Sequence, residues 1–483
     1  MNHFAHLLRA EWTKFVTVRG WVLGMLTAAI VTVLVGLVGS GGGGFSCAGP
    51  NGQACPDRTP PVGPDGTAVT DAFNFVHQPL TGNGSIAVKV SSLTDPQSGG
   101  SPQPWAKAGI LVKDGVRQGS AYAAVMLTGA HGVRMQYDYT HDIAGTPSTD
   151  PRWLRLTRTG DTILAEESAD GARWQSVGTA ELRGLPSTVE VGMFATSPDA
   201  VAKSGGPGDP TTVSAGFEGV GLRGQWGGTW ASDKIGDRGG AFERVGSAFV
   251  VSGAGDIAPV VVRRGSLAKT VESGLVGAFA GLIVVTVVAG LTVTGEYRRG
   301  LIRTTLTASP RRGLVLAAKS VVLGGTAFVT GLVAAAVAIP VVTAIQRGKG
   351  FPILPVSGAT EAGVIVGIAA LLAVTAILTS AVGVILRRAA GVVTAVVVAM
   401  VLPYLLAIAS VLPEGVGEWL LRLTPAAAFA VQQSLPEYAQ VAAAYTPANG
   451  YFPLPSWGGF AVLCGYTALA IGAAAVVLRR RDA

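Results

Sequence analysis

The sequence predicts a polytopic α-helical membrane protein with six transmembrane helices and an inserted extracellular antiparallel β-sandwich of jelly-roll-like form. Two observations predict this fold class. Hydrophobic residues make up 49% of the 483 residues and charged residues only 13%, a more apolar composition than soluble proteins usually have. Long uncharged apolar runs occur near the N-terminus and in the C-terminal half, whereas residues 71–273 contain short alternating runs separated by turn residues.

Six uncharged runs are long enough to cross a hydrocarbon core, which takes about 20 helical residues. The first is interpreted as an uncleaved anchor and assigned to residues 20–38, because a long region that carries Glu11 precedes it and no signal-peptidase pattern follows it. Residues 274–483 are expected to hold spans two to six. The six apolar runs are 21–38, 274–294, 321–344, 363–386, 391–412 and 457–478.

The distribution of basic residues predicts that both termini are cytoplasmic, since short positively charged loops stay inside. In that orientation the cytoplasmic pieces hold 14 of the 36 Lys and Arg residues, and the two short outer loops hold three. The long segment 39–273 then lies outside the cell membrane and has a net charge of −3. The overall charge of +7 therefore indicates topology and attraction to anionic lipid headgroups, not nucleic-acid binding.

The outer segment is expected to comprise a Gly/Pro-rich linker, residues 39–70, and a β domain, residues 71–273. Many short strands at this spacing, with no convincing helix between them, favour a sandwich or jelly roll. Residues 225–262 are expected to complete the domain or to link it back to the membrane. The eight clearest strand patterns are 84–93, 105–113, 120–127, 132–140, 152–158, 161–168, 188–197 and 212–222.

Cys47 and Cys55 lie eight positions apart in the outer linker, where oxidation is expected. A disulfide between them would close a small loop. Two free thiols or a metal clip are the alternatives.

The run SADGARW, residues 168–174, resembles the hairpin tip of concanavalin A-like and laminin G-like sandwiches, which often bind sugars. Exposed Trp105, Trp153 or Trp174 could stack on a glycan. The alternative, which we favour, is that Asp170 and Gly171 supply a tight turn and that the tryptophans fill the core.

No catalytic arrangement is predicted. Glu166 and Glu167 are adjacent on a predicted strand, so they point to opposite faces and cannot form the carboxylate pair of a glycosidase. His131, His141 and Asp142 lack the spacing of a metal site and are predicted to lie in solvated loops. The phosphate-binding pattern G-x-x-x-x-G-K-[ST] is absent from the sequence. We therefore expect no enzymatic activity, cofactor or metal in this chain.

The six apolar runs also lack charged residues near their middles. Transporters driven by ion gradients generally need buried ionisable groups. If this protein moves a substrate uphill, another polypeptide must supply the energy.

Three stretches point to a family. EYRRGLIRTTLTASPRRGLVLAAKS (296–320) resembles the cytoplasmic loop of type-2 ATP-binding-cassette (ABC) exporter permeases. LLRAEWTKFVTVRGW (7–21) resembles the interfacial connector helix of actinobacterial members, and LRLTPAAAFAVQQS (421–434) resembles their outer re-entrant helices. The resemblance covers residues 1–38 and 274–483, and the large insertion after the first span departs from the minimal family pattern.

This resemblance implies a permease subunit that exports an amphipathic or lipid-like compound with ATP hydrolysed by two copies of a separate ATPase subunit. The permease would be a homodimer or would pair with a second permease. Within the loop 296–319, the ATPase-coupling residues would be Glu296, Arg298, Arg299, Arg303, Arg311 and Arg312. In the connector helix, residues 1–19, the interfacial positions would be Glu11, Trp12, Lys14 and Arg19.

Two other functions stay open. The first is mechanotransmission, in which cytoplasmic ATP hydrolysis moves the outer domain and no cargo crosses the bilayer. The second is a membrane-anchored module that binds an extracellular glycan or peptide.

Overall fold

The computed structural model describes residues 2–41, 59–97, 99–200, 208–263, 266–301, 311–409, 412–413 and 415–480. The chain divides into two compact units. The helical unit comprises Met1–Asp57, Leu267–Pro436 and Tyr445–Ala483. The β unit comprises Arg58–Ser266 and Glu437–Ala444.

The helical unit contains, within the described residues, six helices that are long and apolar enough to cross a membrane. They confirm the six predicted apolar spans. The unit begins with a separate amphipathic helix, α1 (Asn2–Thr17). The six long helices are α2 (Arg19–Gly41), α3 (Ala278–Arg298), α4 (Arg312–Gly348), α5 (Gly358–Leu386), α6 (Ala389–Ile408) and α8 (Ser456–Arg480).

Shorter helical elements connect the long ones. The 3₁₀ helix Val271–Gly277 leads into α3, and the short helix α7 (Val416–Leu423) follows α6. After α7 come the 3₁₀ segments Pro425–Gln432, Ala439–Ala444 and Pro447–Asn449. α5 begins at a serine cap, since Ser357 Oγ accepts a hydrogen bond from the backbone N–H of Thr360 (3.1 Å).

Glycines allow two of the long helices to approach closely. Gly277 and Gly281 lie against Thr32 of α2, and a Cβ atom at either glycine would collide with that threonine. Small residues at such positions let helix backbones approach in a membrane, where the lipid is as apolar as the side chains. The high glycine content of the sequence, 67 of 483 residues, therefore contributes to helix packing.

The β unit is antiparallel throughout its described named strands. The strands are β1 (Val69–Asp71), β2 (Phe73–Thr94), β3 (Lys107–Lys113), β4 (Tyr122–Thr128), β5 (Val133–Tyr137), β6 (His141–Ala144), β7 (Arg152–Thr159), β8 (Thr162–Ser168), β9 (Gln175–Glu181), β10 (Thr188–Thr196), β11 (Val213–Trp226), β12 (Ala231–Ile235), β13 (Gly240–Val245), β14 (Ala248–Gly253) and β15 (Ile257–Pro259).

The long strand β2 belongs to two layers. Its first half pairs with β10 and β12, which gives sheet A the order β12-β2-β10-β3-β4-β5-β6. Its second half pairs with β7 and β11, which gives sheet B the order β13-β14-β11-β2-β7-β8-β9. One buried core joins Ile110 and Val125 of sheet A to Leu154 and Ile163 of sheet B. The unit is therefore sandwich-like, as the strand spacing predicted.

A third layer covers the other face of sheet A. β1 and β15 pair with each other as a two-stranded ribbon, where the chain enters and leaves the main β segment. Val69 and Ile257 of this ribbon belong to a second buried cluster with Leu111 and Phe194 of sheet A. Strand β3 is consequently buried along its whole length, on both faces.

Residues 225–262 supply β12–β15, which agrees with the expectation that they complete the β domain. One segment of the β unit was not predicted from the sequence. Glu437–Ala444, from the connection between α7 and α8, belongs to the β unit. Cys47 and Cys55 lie outside the described residues.

Candidate functional site

Four charged side chains from three helices meet in the helical unit. Lys319 Nζ of α4 lies 2.6 Å from Glu296 Oε2 of α3 and 3.5 Å from Glu11 Oε2 of α1. Lys14 Nζ of α1 lies 2.6 Å from Glu11 Oε1 and 3.6 Å from Glu296 Oε1. We call Glu11, Lys14, Glu296 and Lys319 the junction cluster, because it joins α1 to the helices that precede and follow the arginine-rich segment.

The positions of these residues follow from helix geometry. Glu11 and Lys14 are three residues apart, so they share one face of α1. Phe15 on the same helix is buried, whereas Trp12 is 52% exposed. Glu296 lies in the last turn of α3, and Lys319 lies two turns into α4. Side chains at these ends meet because α1 packs against α4 close to the end of α3.

The junction cluster is largely removed from solvent. The side chains of Glu11, Glu296 and Lys319 are 5–7% exposed, and that of Lys14 is 38% exposed. Burial acts to lower the pKa of Lys14, but the hydrogen bond and charge of Glu11, with the charge of Glu296, hold that pKa above its ordinary value. Two lysines and two carboxylates balance in charge, which burial of ions requires.

Pairing in the junction cluster is shared. Each lysine lies within 4 Å of both carboxylates, one near and one farther. Lys14 donates a hydrogen bond to Glu11. The Lys319–Glu296 contact is a close ion pair that lacks the direction of a hydrogen bond. For each lysine the second carboxylate is therefore only about 1 Å farther away than the first.

The predicted coupling residues separate into two groups. Glu296 is turned inward to Lys319, whereas Arg298, Arg299 and Arg311 are exposed. Arg312 donates a hydrogen bond to the backbone oxygen of Leu478 near the end of α8. Arg303 lies outside the described residues. Arg298, Arg299 and Arg311 are accessible to a partner, whereas Glu296 is paired within the helical unit.

The connector residues are also divided. Lys14 is paired with carboxylates and is 38% exposed, whereas Trp12 and Arg19 are exposed. Trp21, at the start of α2, packs its ring 6.2 Å from that of Phe15. The predicted interfacial role is therefore compatible with the exposure of Trp12 and Arg19.

The segment predicted to be re-entrant is short helix α7 followed by the 3₁₀ helix Pro425–Gln432. Every residue of that 3₁₀ helix is buried. Phe429 stacks on Phe279 of α3, with ring centroids 4.1 Å apart. Ser434 then donates a hydrogen bond from its Oγ to Glu272, just before α3. Aromatic and hydroxyl contacts thus fix this segment against the start of α3.

An apolar cavity of about 710 Å³ lies among α5, α6, α7 and α8. Two hydroxyls border it, and both bond to backbone oxygens: Thr424 Oγ1 to Leu420 (2.7 Å) and Tyr466 Oη to Leu423 (2.8 Å). Its other lining side chains include Leu378, Leu402 and Leu469. The cavity offers hydrocarbon contacts to any occupant.

Two lysines are completely buried in the β unit. Lys113 Nζ lies 2.8 Å from Asp71 Oδ2 and also donates to Tyr139 Oη (2.9 Å). Lys107 Nζ lies 2.7 Å from Asp256 Oδ1. Asp71 ends β1 and Asp256 precedes β15, so the two ion pairs hold the ribbon onto sheet A. Sequence reasoning missed both pairs, because each lysine reads as one polar residue in an apolar strand.

A third polar group lies on the same sheet. His77 of β2 faces Glu190 Oε2 through Nδ1 (2.6 Å) and Asp233 Oδ2 through Nε2 (2.9 Å). The ring stacks on Phe75 with centroids 4.5 Å apart. Because the two nitrogens point to different carboxylates, this arrangement links three strands and does not converge on one ligand. Among the described residues, no group of three His, Cys, Asp or Glu could hold a metal ion.

The outer tryptophans differ from the prediction in part. Trp105 is buried and stacks on His131 with centroids 4.0 Å apart. Trp153 and Trp174 are half-buried and do not belong to the described cores. Trp153 packs against Gly171, and Arg155 lies 4.2 Å above the ring of Trp174. These two rings are covered by local contacts and do not fill the core.

The predicted hairpin tip is confirmed as a tight turn. Gly171 has a φ of 74°, and Asp170 Oδ1 accepts the backbone N–H groups of Ala172 and Arg173 (both 2.9 Å). The N–H groups of Arg173 and Ala172 hold the pKa of Asp170 well below its ordinary value. The turn is therefore explained by local hydrogen bonds.

Glu166 and Glu167 have separate partners, as their predicted opposite orientation requires. Arg155 binds Glu166 through Nε (2.6 Å), and the backbone N–H of Thr146 donates to Glu167 (2.8 Å).

The prediction of solvated loops was wrong for His141 and Asp142. Both lie on β6, where Asp142 accepts from Gln136 Nε2 (2.9 Å) and from Arg134.

Comparisons with known proteins assign no function. No family model matches the chain, and no curated protein matches it. A functionally unknown protein from Saccharomyces cerevisiae is 15% identical, with 32% of this chain and 76% of that chain covered and a TM-score of 0.24.

Two other solved structures are equally distant. SCP-B, a member of the eqolisin family of peptidases in complex with the tripeptide Ala-Ile-His, is 9% identical, with 40% of this chain and 100% of that chain covered and a TM-score of 0.25. The GH43 protein BlXynB from Bacillus licheniformis, as the K247S mutant, is 17% identical, with coverages of 23% and 24% and a TM-score of 0.18.

Proposed function

We propose that this chain is the membrane permease subunit of an ABC transporter, which exports an amphipathic or lipid-like compound with ATP hydrolysed by a separate ATPase subunit. Its N- and C-termini and the segment between α3 and α4 face the cytoplasm, and the β unit, a jelly-roll-like sandwich, lies outside the cell. The junction cluster is the observation that carries this proposal.

A permease of this kind must convey a push from an ATPase to the membrane helices. The junction cluster supports that role, since it binds α1 to the end of α3 and the start of α4. Arg298 and Arg299 lie two and three residues after Glu296 and are exposed. A partner that grips these arginines would therefore pull on a charge network that includes α1.

The exposed arginines fit an acidic partner surface. Charged contacts of this type fix the orientation and the rate of association more than they add affinity. The apolar cavity among α5–α8 supports an apolar cargo, since its described hydroxyls are already bonded to backbone oxygens. The charge-free middles of the spans support an energy source outside this chain.

Charge reversal tests the proposal. R298E/R299E should abolish co-purification of the ATPase from native membranes, while membrane insertion stays intact. The matched control is R479E/R480E, which reverses two other exposed arginines at the end of α8. The proposal fails if R298E/R299E retains the ATPase at the wild-type level, or if wild-type protein brings down no ATPase.

Mechanotransmission is the second candidate function. It is favoured by the attachment of Glu437–Ala444 to the β unit and by the buried lysine pairs that lock its ribbon. ATP-dependent accumulation of a lipid-like compound in sealed inside-out vesicles would support export. An active ATPase complex that moves no such compound, yet alters protease sensitivity of the β unit, would support mechanotransmission.

A further inference from the structure

The connection between α7 and α8 supplies a segment to the β unit. Within that unit Gln440 is 2% exposed, and its Nε2 donates a 2.7 Å hydrogen bond to the backbone oxygen of Tyr139. Val441 and Ala444 are buried beside it. The segment also contacts β15 of the ribbon. Residues 437–444 are thus an integral piece of the β unit.

Gln440 binds a residue that is itself tied to the ribbon. Tyr139 has a φ of 66°, a left-handed conformation that is uncommon for a residue with a side chain. Its Oη donates to Asp71 Oδ2 (2.7 Å) and accepts from Lys113 Nζ (2.9 Å). The backbone oxygen and the hydroxyl of Tyr139 therefore connect Gln440 to the buried ion pair between Lys113 of β3 and Asp71 of β1.

The connection to the helical unit is short. Gln432 ends the buried 3₁₀ helix, and Glu437 begins the segment, so five Cα steps separate them. An extended chain covers at most about 18 Å over that distance. Tyr445 Oη donates to the backbone oxygen of Pro436 (3.3 Å), which holds the two ends of the segment together. The chain between the 3₁₀ helix Pro425–Gln432 and Glu437 therefore has little slack to absorb a displacement of that helix.

We propose that residues 437–444 form a third tether of the β unit, with Gln440 as its latch, in addition to the chain passages through β1 and β15. The tether conveys movement of the segment before α8 to the β1–β15 ribbon. This inference deepens the proposed function, on which it rests only for the source of the movement. The latch itself is a property of the chain alone.

Amide hydrogen exchange of the full-length protein in lipid nanodiscs, without any ATPase, tests the latch. Q440E removes the donor and adds a charge, whereas Q440M removes the donor at similar volume. Each leaves the oxygen of Tyr139 unpaired, and we expect exchange in residues 438–444 to rise at least about tenfold. The control is E437A, which changes an exposed residue of the same segment.

Peptides from β7 and β8 report whether the β unit is folded in every variant. Unchanged β7 and β8 with faster exchange in residues 438–444 supports the latch. If Q440M matches E437A in residues 438–444, no latch exists. If Q440M also exposes β7 and β8, Gln440 is a general core residue and the tether proposal is overturned.

A second arm tests the relay and separates it from the proposed function. In wild-type protein with its co-purified ATPase, trapping with ATP should change exchange in the β1–β15 ribbon, and Q440M should lose that change while it retains the ATPase. If trapping with ATP changed exchange in the ribbon of Q440M as much as in the wild-type protein, the proposed relay from the tether to the ribbon would be wrong. Absence of any bound ATPase would count against the proposed function and leave the latch result standing.

Discussion

Each unit contains two lysines that are paired with two carboxylates, but the pairing differs between the two units. In the β unit Lys113 faces Asp71 and Lys107 faces Asp256, with neutral oxygens as the further described acceptors. In the junction cluster each lysine lies within 4 Å of both carboxylates. The β unit has exclusive pairs, and the helical unit has a shared network.

Exclusive ion pairs are suited to contacts that keep a fixed geometry, because loss of one partner leaves a buried charge with no second partner of opposite charge. A shared network suits a joint between helices that shift, since each charge has a second partner close by. This difference agrees with the proposed function, in which the spans move and the β1–β15 ribbon moves as one body. Mutations can test whether the pairing, and not the number of charges, sets the difference.

The largest effect is expected for Asp71→Ala. It leaves Lys113 buried without its carboxylate, and breaking such a pair costs about 3–5 kcal/mol. Native-state hydrogen exchange in the β1–β15 ribbon of the full-length protein measures this loss. Asp237→Ala, at an exposed position, is the control and should change stability by less than about 0.5 kcal/mol. A cost for Asp71→Ala as small as that of the control would contradict exclusive pairing.

Double mutants sharpen the comparison at an intermediate scale. E11Q and E296Q should each cost less than about 2 kcal/mol, because the other carboxylate still serves both lysines. Their combination should cost more than the sum of the two by about 1 kcal/mol. Combining D71N with K113M should instead cost less than the sum of the two. Amide hydrogen exchange in α1 and in the β1–β15 ribbon measures the two coupling free energies. Coupling free energies of the same sign in the two units would contradict the distinction.

The smallest effects concern alkaline pH and have opposite signs in the two units. Burial lowers the pKa of Lys113, and Asp71 offsets this only in part. A lysine with a lowered folded pKa costs stability while it is charged, and that cost fades as the pH approaches the unfolded value of about 10.4. Protection of the ribbon amides from hydrogen exchange should therefore rise slightly as the pH rises toward about 10.

Lys14 should show the reverse dependence. Although burial opposes it, Glu11 and Glu296 raise the pKa of Lys14, so its stabilising contribution is complete below about pH 10.4 and is lost above it. Protection of the α1 amides from hydrogen exchange should fall slightly as the pH rises above about 10.4. Above about pH 10 the raised pKa values of Tyr122 and Tyr139 also act on the β unit, so the ribbon is measured below that pH. If protection of α1 and protection of the ribbon changed in the same direction with rising pH, the assignment of these effects to Lys14 and Lys113 would be wrong.

The long apolar runs predicted the six helices because a span of about 20 uncharged residues has few alternatives. Alternation predicted the strands of the sandwich for a similar reason. Glu11, Lys14 and Glu296 were identified as candidate residues from resemblance, but their common cluster with Lys319 depends on how α1 crosses α3 and α4. Helix crossing is a tertiary property that periodicity does not encode.

The buried lysines of β3 and the attachment of Gln440 were outside the reach of sequence patterns. Lys107 and Lys113 stand at the two ends of an otherwise apolar strand, and only the β1–β15 ribbon explains their burial. Gln440 lies 301 positions from Tyr139 along the chain. A contact over that distance leaves no periodic signal.

The side of the membrane on which the arginine-rich segment lies tests the account most directly. Trypsin should cleave within residues 298–312 in sealed inside-out vesicles, and the co-purified ATPase should protect those sites. The same sites should resist trypsin on intact cells. Cleavage within residues 298–312 on intact cells would contradict the account.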